Sequence, residues 1–235
     1  MRKLSHRLLA GGVLLVGAGA WGLLPGVAGL AQRVAAARPV HQHGVGIFSG
    51  STDIGPAVKG ATAYGAASET YQITGGGADL WGAADAFHFD WKMWDGDGAL
   101  QADVAFPAGT HPPNEKAVLM FRQSLDPGST YADVAIHADG HITLQWRAVQ
   151  GGATDDIEAD AHGSKTLRIE RHGDVYGAFA TGPDGKLTQF ASAVIAMHDP
   201  LYVGVGVCAH DAQGVATVTF SHVSLTRADL ANPPE

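Results

Sequence analysis

The sequence predicts an all-β protein, an antiparallel sandwich or barrel of short strands. Three observations carry this. The chain has 235 residues, of which 32 are Gly, and its 23 acids divide into 18 Asp and five Glu. Asp favours turns and caps where Glu favours helices. From Ile47 to Leu225, runs with period-two alternation recur every 10 to 15 residues, the signature of strands rather than helices. Turn signals separate the runs: Gly75-Gly76-Gly77, Asp95-Gly96-Asp97-Gly98, Asp126-Pro127-Gly128, Asp139-Gly140, Gly151-Gly152, His172-Gly173-Asp174 and Pro183-Asp184-Gly185. About eleven strands are expected, enough for one domain with a real core.

The first 31 residues read as a separate element. MRKLSHR is a positive stretch, and an uncharged run of 24 residues follows from Leu8 to Ala31. Small residues at Gly29-Leu30-Ala31 or Ala35-Ala36-Ala37 suit cleavage. The pattern fits a secretory signal peptide. The alternative is an uncleaved membrane anchor, weakened as a span by its Gly content and Pro25. Either reading places the rest outside the cytoplasm, periplasmic or extracellular, with membrane contact only if the segment is retained. Residues 32–46 read as a linker, 47–227 as the β domain, and 228–235 as a frayed tail.

Net charge is −8, and without Arg2, Lys3 and Arg7 the balance is 12 basic against 23 acidic residues. An acidic chain with no Lys/Arg cluster excludes a nucleic-acid binder of the usual kind. A single cysteine, Cys208, excludes an internal disulfide. It lies in YVGVGVCAH, a strand pattern, and is expected to be a small packed residue rather than a nucleophile paired with His210. Gly204 and Gly206 share its face, leaving space for a ligand or an aromatic ring.

Alternation registers two hairpins. Phe87, Phe89, Trp91 and Met93 share one face, and Leu100, Ala102, Val104 and Phe106 share another. Pairing Trp94 with Ala99 across Asp-Gly-Asp-Gly joins the sets and puts Asp90 opposite Asp103. In the second hairpin, a two-residue turn at Asp139-Gly140 scrambles the faces. A three-residue loop, Ala138-Asp139-Gly140, pairs Ile136 with Ile142, Val134 with Leu144 and Ala132 with Trp146, with Gly140 at the left-handed position. His137/His141, Asp133/Gln145 and Tyr131/Arg147 then face each other on the polar side, with Arg122 beside them.

That polar side is the candidate ligand-binding site: Arg122, Tyr131, Asp133, His137, Gln145 and Arg147. Planar donors and acceptors beside an aromatic platform suit a carbohydrate, whose hydroxyls need bidentate partners and whose C–H faces need a flat apolar surface. The competing reading is a solvated outer face. Zinc at His137 and His141 lacks a third ligand, for which His210 and Asp211 are candidates. Calcium at Asp95 and Asp97 does not match the twelve-residue loop pattern. As a glycosidase, Asp133 could pair with Asp126 or Asp211, but no G-x-S-x-G elbow and no distinctive carboxylate motif is present. Trp81 reads as core or rim, and Asp85 as a residue tying a turn to the backbone.

Taken in order, GGGADLWGAADAF, WKMWDGDG, LMFRQSLDPGSTYADVAIHADGHITLQWR, LRIERHGD, YVGVGVCAHD and FSHVSL resemble one bacterial module. It is the concanavalin A-like jelly roll that precedes a TolB-like β-propeller in exported proteins. The similarity runs from about Phe48 to Leu225, with RQSLDP and VxxHxDG its more specific pieces. It implies a two-sheet antiparallel jelly-roll sandwich with a concave face. No catalytic residue, metal or cofactor is carried over, and the chain ends where the propeller would begin. The superfamily holds lectins and glucanases, but the glucanases' E-x-D-x-E strand is absent. The leading expectation is therefore non-catalytic binding of a glycan. The alternatives are an enzyme on modified glycosides, using Asp133 or His137 as acid or base, and a structural module of the cell envelope.

Overall fold

In the computed structural model the described residues are 42–109 and 111–227. The signal or anchor segment, most of the linker and the tail lie outside them. The described residues hold fifteen strands and no helix. One sheet has eight strands in the order β1 (Gln42–His43), β2 (Gly50–Ile54), β5 (Phe87–Trp94), β14 (Leu201–Cys208), β7 (Lys116–Arg122), β8 (Tyr131–His137), β9 (Ile142–Arg147) and β10 (Asp155–Glu158). The other has seven: β13 (Leu187–Val194), β12 (Val175–Thr181), β11 (Thr166–His172), β6 (Gly98–Ala105), β15 (Asp211–Thr226), β4 (Thr70–Gly77) and β3 (Ala61–Gly65). The architecture is a two-sheet antiparallel jelly-roll sandwich. The expected linker contributes β1, whose Gln42 and His43 pair with Ser51 and Gly50.

Alternation builds the core. Leu119, Phe121, Val134, Ile136, Ile142, Leu144, Val203 and Val205 point inward from the eight-stranded sheet and meet Leu100, Ala102, Leu167, Ile169, Val218 and Phe220 from the other. Each of these Val, Leu, Ile and Phe side chains contributes roughly 1.5–3 kcal/mol on full burial. The intervening residues of the eight-stranded sheet face outward, and part of that face is also covered. Ile54, Leu80, Phe87, Phe89, Val118, Met120, Tyr131 and Cys208 form a second apolar cluster there.

The second hairpin has the expected register: Tyr131↔Arg147, Asp133↔Gln145, Val134↔Leu144 and Ile136↔Ile142. The His137 N–H donates to the His141 carbonyl at 2.8 Å, and Gly140 has φ +92°. The first hairpin does not form. β5 pairs with β2 and β14, and β6 pairs with β11 and β15. The Asp95–Asp97 corner therefore carries the chain from one sheet to the other. Gly98 permits it, because a Cβ there would lie 2.4 Å from Trp94 Nε1. Asp97 anchors the corner by accepting from the Gly173 N–H at 2.7 Å. Period-two patterning fixes which face a residue takes but not which strand lies beside it. Asp90 and Asp103 are consequently not opposed: Asp90 lies between Ser51 and Val205, and Asp103 between Thr166 and Ser221.

Candidate functional site

All six candidates lie on the outer face of the eight-stranded sheet. Arg122, Tyr131 and Arg147 form one row across β7, β8 and β9; Asp133 and Gln145 form the next, beside Met120. His137 ends β8, opposite Lys116. Their environments divide them into two groups.

Two loops close over the arginine row. Residues 78–86 connect β4 to β5, and residues 123–130 connect β7 to β8. Arg147 forms a two-pronged pair with Asp85, Nη2 to Oδ1 at 2.6 Å and Nη1 to Oδ2 at 2.9 Å. It also donates to the carbonyls of Gly82, Pro127 and Ser129. Arg122 donates to the carbonyls of Ser124 and Asp126 and reaches the same Asp85 carboxylate at 3.4 Å. Burial pulls the Arg122 guanidinium below its usual value, and Asp85 works against that. Tyr131 lies under Arg147, whose guanidinium carbon is 4.9 Å from the ring centre, and its hydroxyl meets Thr154 Oγ1 at 3.1 Å. Arg122, Tyr131 and Arg147 are fully buried. Their polar groups fasten loops onto the sheet instead of facing a ligand. Asp85 is more than a turn residue: its carboxylate is the counter-charge of both arginines.

The other three behave differently. Both carboxyl oxygens of Asp133, Oε1 of Gln145, Nε2 of His137 and Oγ1 of neighbouring Thr143 are buried without a hydrogen-bond partner in the protein. Such a group costs about 1–3 kcal/mol if nothing meets it. Burial pushes the Asp133 carboxyl well above the usual carboxylate range, only partly opposed by Lys116, so the neutral acid is favoured. Burial, Lys116 and His141 lower His137 to about 4, so its imidazole is neutral at pH 7.

His137, Thr143 and Gln145 line a cleft of about 260 Å³ with Asp79, Trp81, Asn114, Lys116, His141, Asp156 and His210. Trp81 stands at its rim, 38% exposed. Lys116 is held by Asp79 at 2.8 Å and the Leu80 carbonyl at 3.1 Å, and its ammonium sits 5.5 Å from the Trp81 ring centre. His141 is paired with Glu158 at 2.9 Å. The cleft thus presents an aromatic edge, the unpartnered atoms of His137, Thr143 and Gln145 are buried in its wall, Asp133 is not part of its lining, and its lysine is already neutralised.

Sequence reasoning missed Lys116, Asp79, Asn114, Thr143 and Asp156. Thr143 was within reach of the registered hairpin, since it shares the outer face with Gln145. Asp79, in a loop, left no periodic signal. Among the described residues no three His, Cys, Asp or Glu side chains converge on a metal position. The His137 and His141 rings meet edge to face, 5.2 Å between centres, and of the proposed extra ligands only His210 lines the cleft. Cys208 is buried, with its thiol raised to about 11 by desolvation. The space beside Gly206 is taken by the Phe87 ring, 2.8 Å from a Cβ placed there, and that beside Gly204 by the β5 backbone at Asp90.

No protein-family model and no curated protein matches the chain. Solved structures do. A functionally unknown protein from Saccharomyces cerevisiae superposes with a TM-score of 0.56 at 19% identity, over 72% of this chain and 92% of that one. Alginate lyase A1-II′, a member of polysaccharide lyase family 7, gives 0.47 at 10% identity, over 72% and 84%. A β-1,3-1,4-glucanase from a mouse hindgut metagenome gives 0.47 at 9% identity, over 74% and 94%. At these identities the likeness is one of fold.

Proposed function

We propose that the chain binds a neutral carbohydrate in the cleft beside Trp81, without catalysis. The observation that carries this is the cleft wall, where His137, Thr143 and Gln145 hold unpartnered polar atoms beside Trp81. A neutral imidazole, a hydroxyl and an amide offer donors and acceptors without net charge, as sugar hydroxyls require. Trp81 supplies the flat apolar face for ring C–H groups. A ligand carboxylate finds no free cation, because Lys116 serves Asp79. The volume is just below the common range of about 300–1,000 Å³ for ligand clefts, which suits a short glycan. The reading includes export, supported by Arg2, Lys3 and Arg7 ahead of the uncharged run; mass spectrometry of the N-terminus tests it.

Calorimetry with neutral and uronate oligosaccharides tests the ligand. Trp81→Ala and Gln145→Ala should each weaken binding of a neutral glycan about tenfold, the loss of roughly 1.4 kcal/mol. Binding that survives both changes together, or that prefers uronates, overturns the proposal. The second reading is an enzyme: burial favours the neutral form of both Asp133 and His137, the states from which a general acid and a general base start. Turnover of keto-glycosides that is abolished by Asp133→Asn with His137→Ala would establish it in place of simple binding.

A further inference from the structure

His88 lies wholly buried between the sheets, at the edge where β2 and β5 run together. Its Nδ1 is 2.6 Å from Asp53 Oδ1, and its Nε2 is 2.8 Å from Ser51 Oγ. Asp90, 1% exposed, stands beside it. Asp90 Oδ1 is 3.7 Å from the same Nε2 and has no hydrogen-bond partner. Asp90 Oδ2 accepts from Thr62 Oγ1 at 2.7 Å. Thr62 belongs to β3, so the cluster ties one sheet to the other. The loop between β2 and β3 rests on it: Asp53 accepts from the Gly60 N–H at 2.9 Å, and a Cβ on Gly60 would lie 2.3 Å from the imidazole.

The hydrogen-bond count has two solutions. In one, the imidazole is neutral. Nδ1–H donates to Asp53, Nε2 accepts from the Ser51 hydroxyl, and Asp90 carries a proton. In the other, the Asp90 proton has moved through Ser51. The imidazolium donates from Nδ1 to Asp53 and from Nε2 to Ser51 Oγ, and the Ser51 hydroxyl donates to Asp90 Oδ1. The number of protons is the same, and in the second form Ser51, whose hydroxyl already acts on Asp90, closes on the orphan oxygen. We propose that Asp53, His88, Ser51 and Asp90 form a relay that holds one proton between the sheets and makes this edge of the sandwich pH-sensitive. Losing that proton leaves two carboxylates around a neutral, buried imidazole, which burial penalises.

Around Asp90 the surrounding groups supply no counter-charge besides His88. β14 faces the cluster with Val205 and Val207, the register partners of Asp90 and His88. β4 contributes Tyr71, whose phenol Asp90 helps to raise, after burial. Lys59, in the β2–β3 loop, acts on Asp53. Burial raises the Asp90 carboxyl, with Thr62 and Ser51 opposing. Asp53 is desolvated too, but its bonds from His88 and Gly60 outweigh that and hold it low. The signs follow. Asp90 contributes stability that is fully present below its unfolded value of about 4 and is lost as pH rises through its folded value. Asp53 contributes stability above about 4 that is lost in acid.

The test follows the Asp90 carboxyl carbon and the His88 ring nitrogens by NMR in the full chain from pH 4 to 9. Urea unfolding of the native protein and Asp90→Asn is measured beside it. Both nuclei should move in one joint step, and Ser51→Ala should split it in two. Between about pH 4 and this step the native folded-to-unfolded ratio should fall about tenfold per pH unit relative to Asp90→Asn, and level off above it. Ring nitrogens that stay still while Asp90 titrates, or equal pH slopes for native and variant, overturn the relay. If Asp90→Asn does not fold, the NMR result on the native protein decides.

Discussion

Replacing Asp85 with Ala should be the most damaging single change at the covered face. The carboxylate is fully buried and serves two guanidiniums, through contacts of 2.6, 2.9 and 3.4 Å. Its removal leaves Arg122 and Arg147 buried side by side. Each keeps backbone carbonyl partners, Ser124 and Asp126 for Arg122, and Gly82, Pro127 and Ser129 for Arg147. Those dipoles satisfy hydrogen bonds but do not neutralise charge. Breaking a buried ion pair by deleting one partner costs about 3–5 kcal/mol. Taking about 4 kcal/mol, the folded-to-unfolded ratio falls by about 10³, a large share of a total of roughly 5–15 kcal/mol. Urea unfolding at pH 7 reads this as a shift in midpoint at constant slope. Pairing the change with Arg147→Met should recover about 1–3 kcal/mol, because one of the stranded charges is then gone. A cost below about 1 kcal/mol for Asp85→Ala, or no recovery in the pair, would refute the assignment of Asp85 as shared counter-charge.

Three further outcomes are expected. Asp133→Asn should show a flatter loss of stability with rising pH than the native chain. The raised carboxyl contributes stability below its unfolded value of about 4 that disappears as pH climbs through its folded value, and the amide has no proton to lose; denaturation at pH 5 and 8 measures it. Gly140→Val should cost about 1–2 kcal/mol in thermal or urea unfolding, because the turn needs φ +92° and a Cβ there meets Gly163 N at 3.0 Å. Cys208 should react with thiol reagents only as fast as the protein opens, since its thiol is buried and raised to about 11; rapid labelling under native conditions contradicts this.

The two hairpins mark what periodicity can reach. Ile136, Ile142, Val134 and Leu144 could be registered because their partner strand follows after three residues, so loop length and face pattern bear on one decision. The Trp94–Ala99 pairing used the same reasoning and failed because the first half of β5, Phe87 to Asp90, is covered on both faces. Phe87 and Phe89 enter the outer cluster, while His88 and Asp90 go between the sheets. A strand buried on both sides gives no polar stripe to say which neighbour it wants. Its partners, β2 and β14, come from more than 30 and 100 residues away in sequence, a distance over which alternation has no memory.

The site shows the same limit in chemical form. Placing Arg122, Tyr131, Asp133, Gln145 and Arg147 on one face required only the register of neighbouring strands. Deciding which of them could meet a ligand required knowing where residues 78–86 run. That loop brings Asp85 onto the arginines, Leu80 onto the apolar cluster and Trp81 to the rim of the cleft. An arginine beside a tyrosine reads as a ligand clamp when its counter-ion is 62 residues away in the chain, as Asp85 is from Arg147. Once that carboxylate is in place, the charged half of the face becomes the fastening, and the other half, His137, Thr143 and Gln145, walls the cleft with unpartnered polar atoms. The loop that hides the arginines also supplies Trp81 and the Lys116 partner Asp79. Stability of the Asp85 cluster and shape of the cleft are therefore one structural property, and a change that loosens the first should weaken binding in the second.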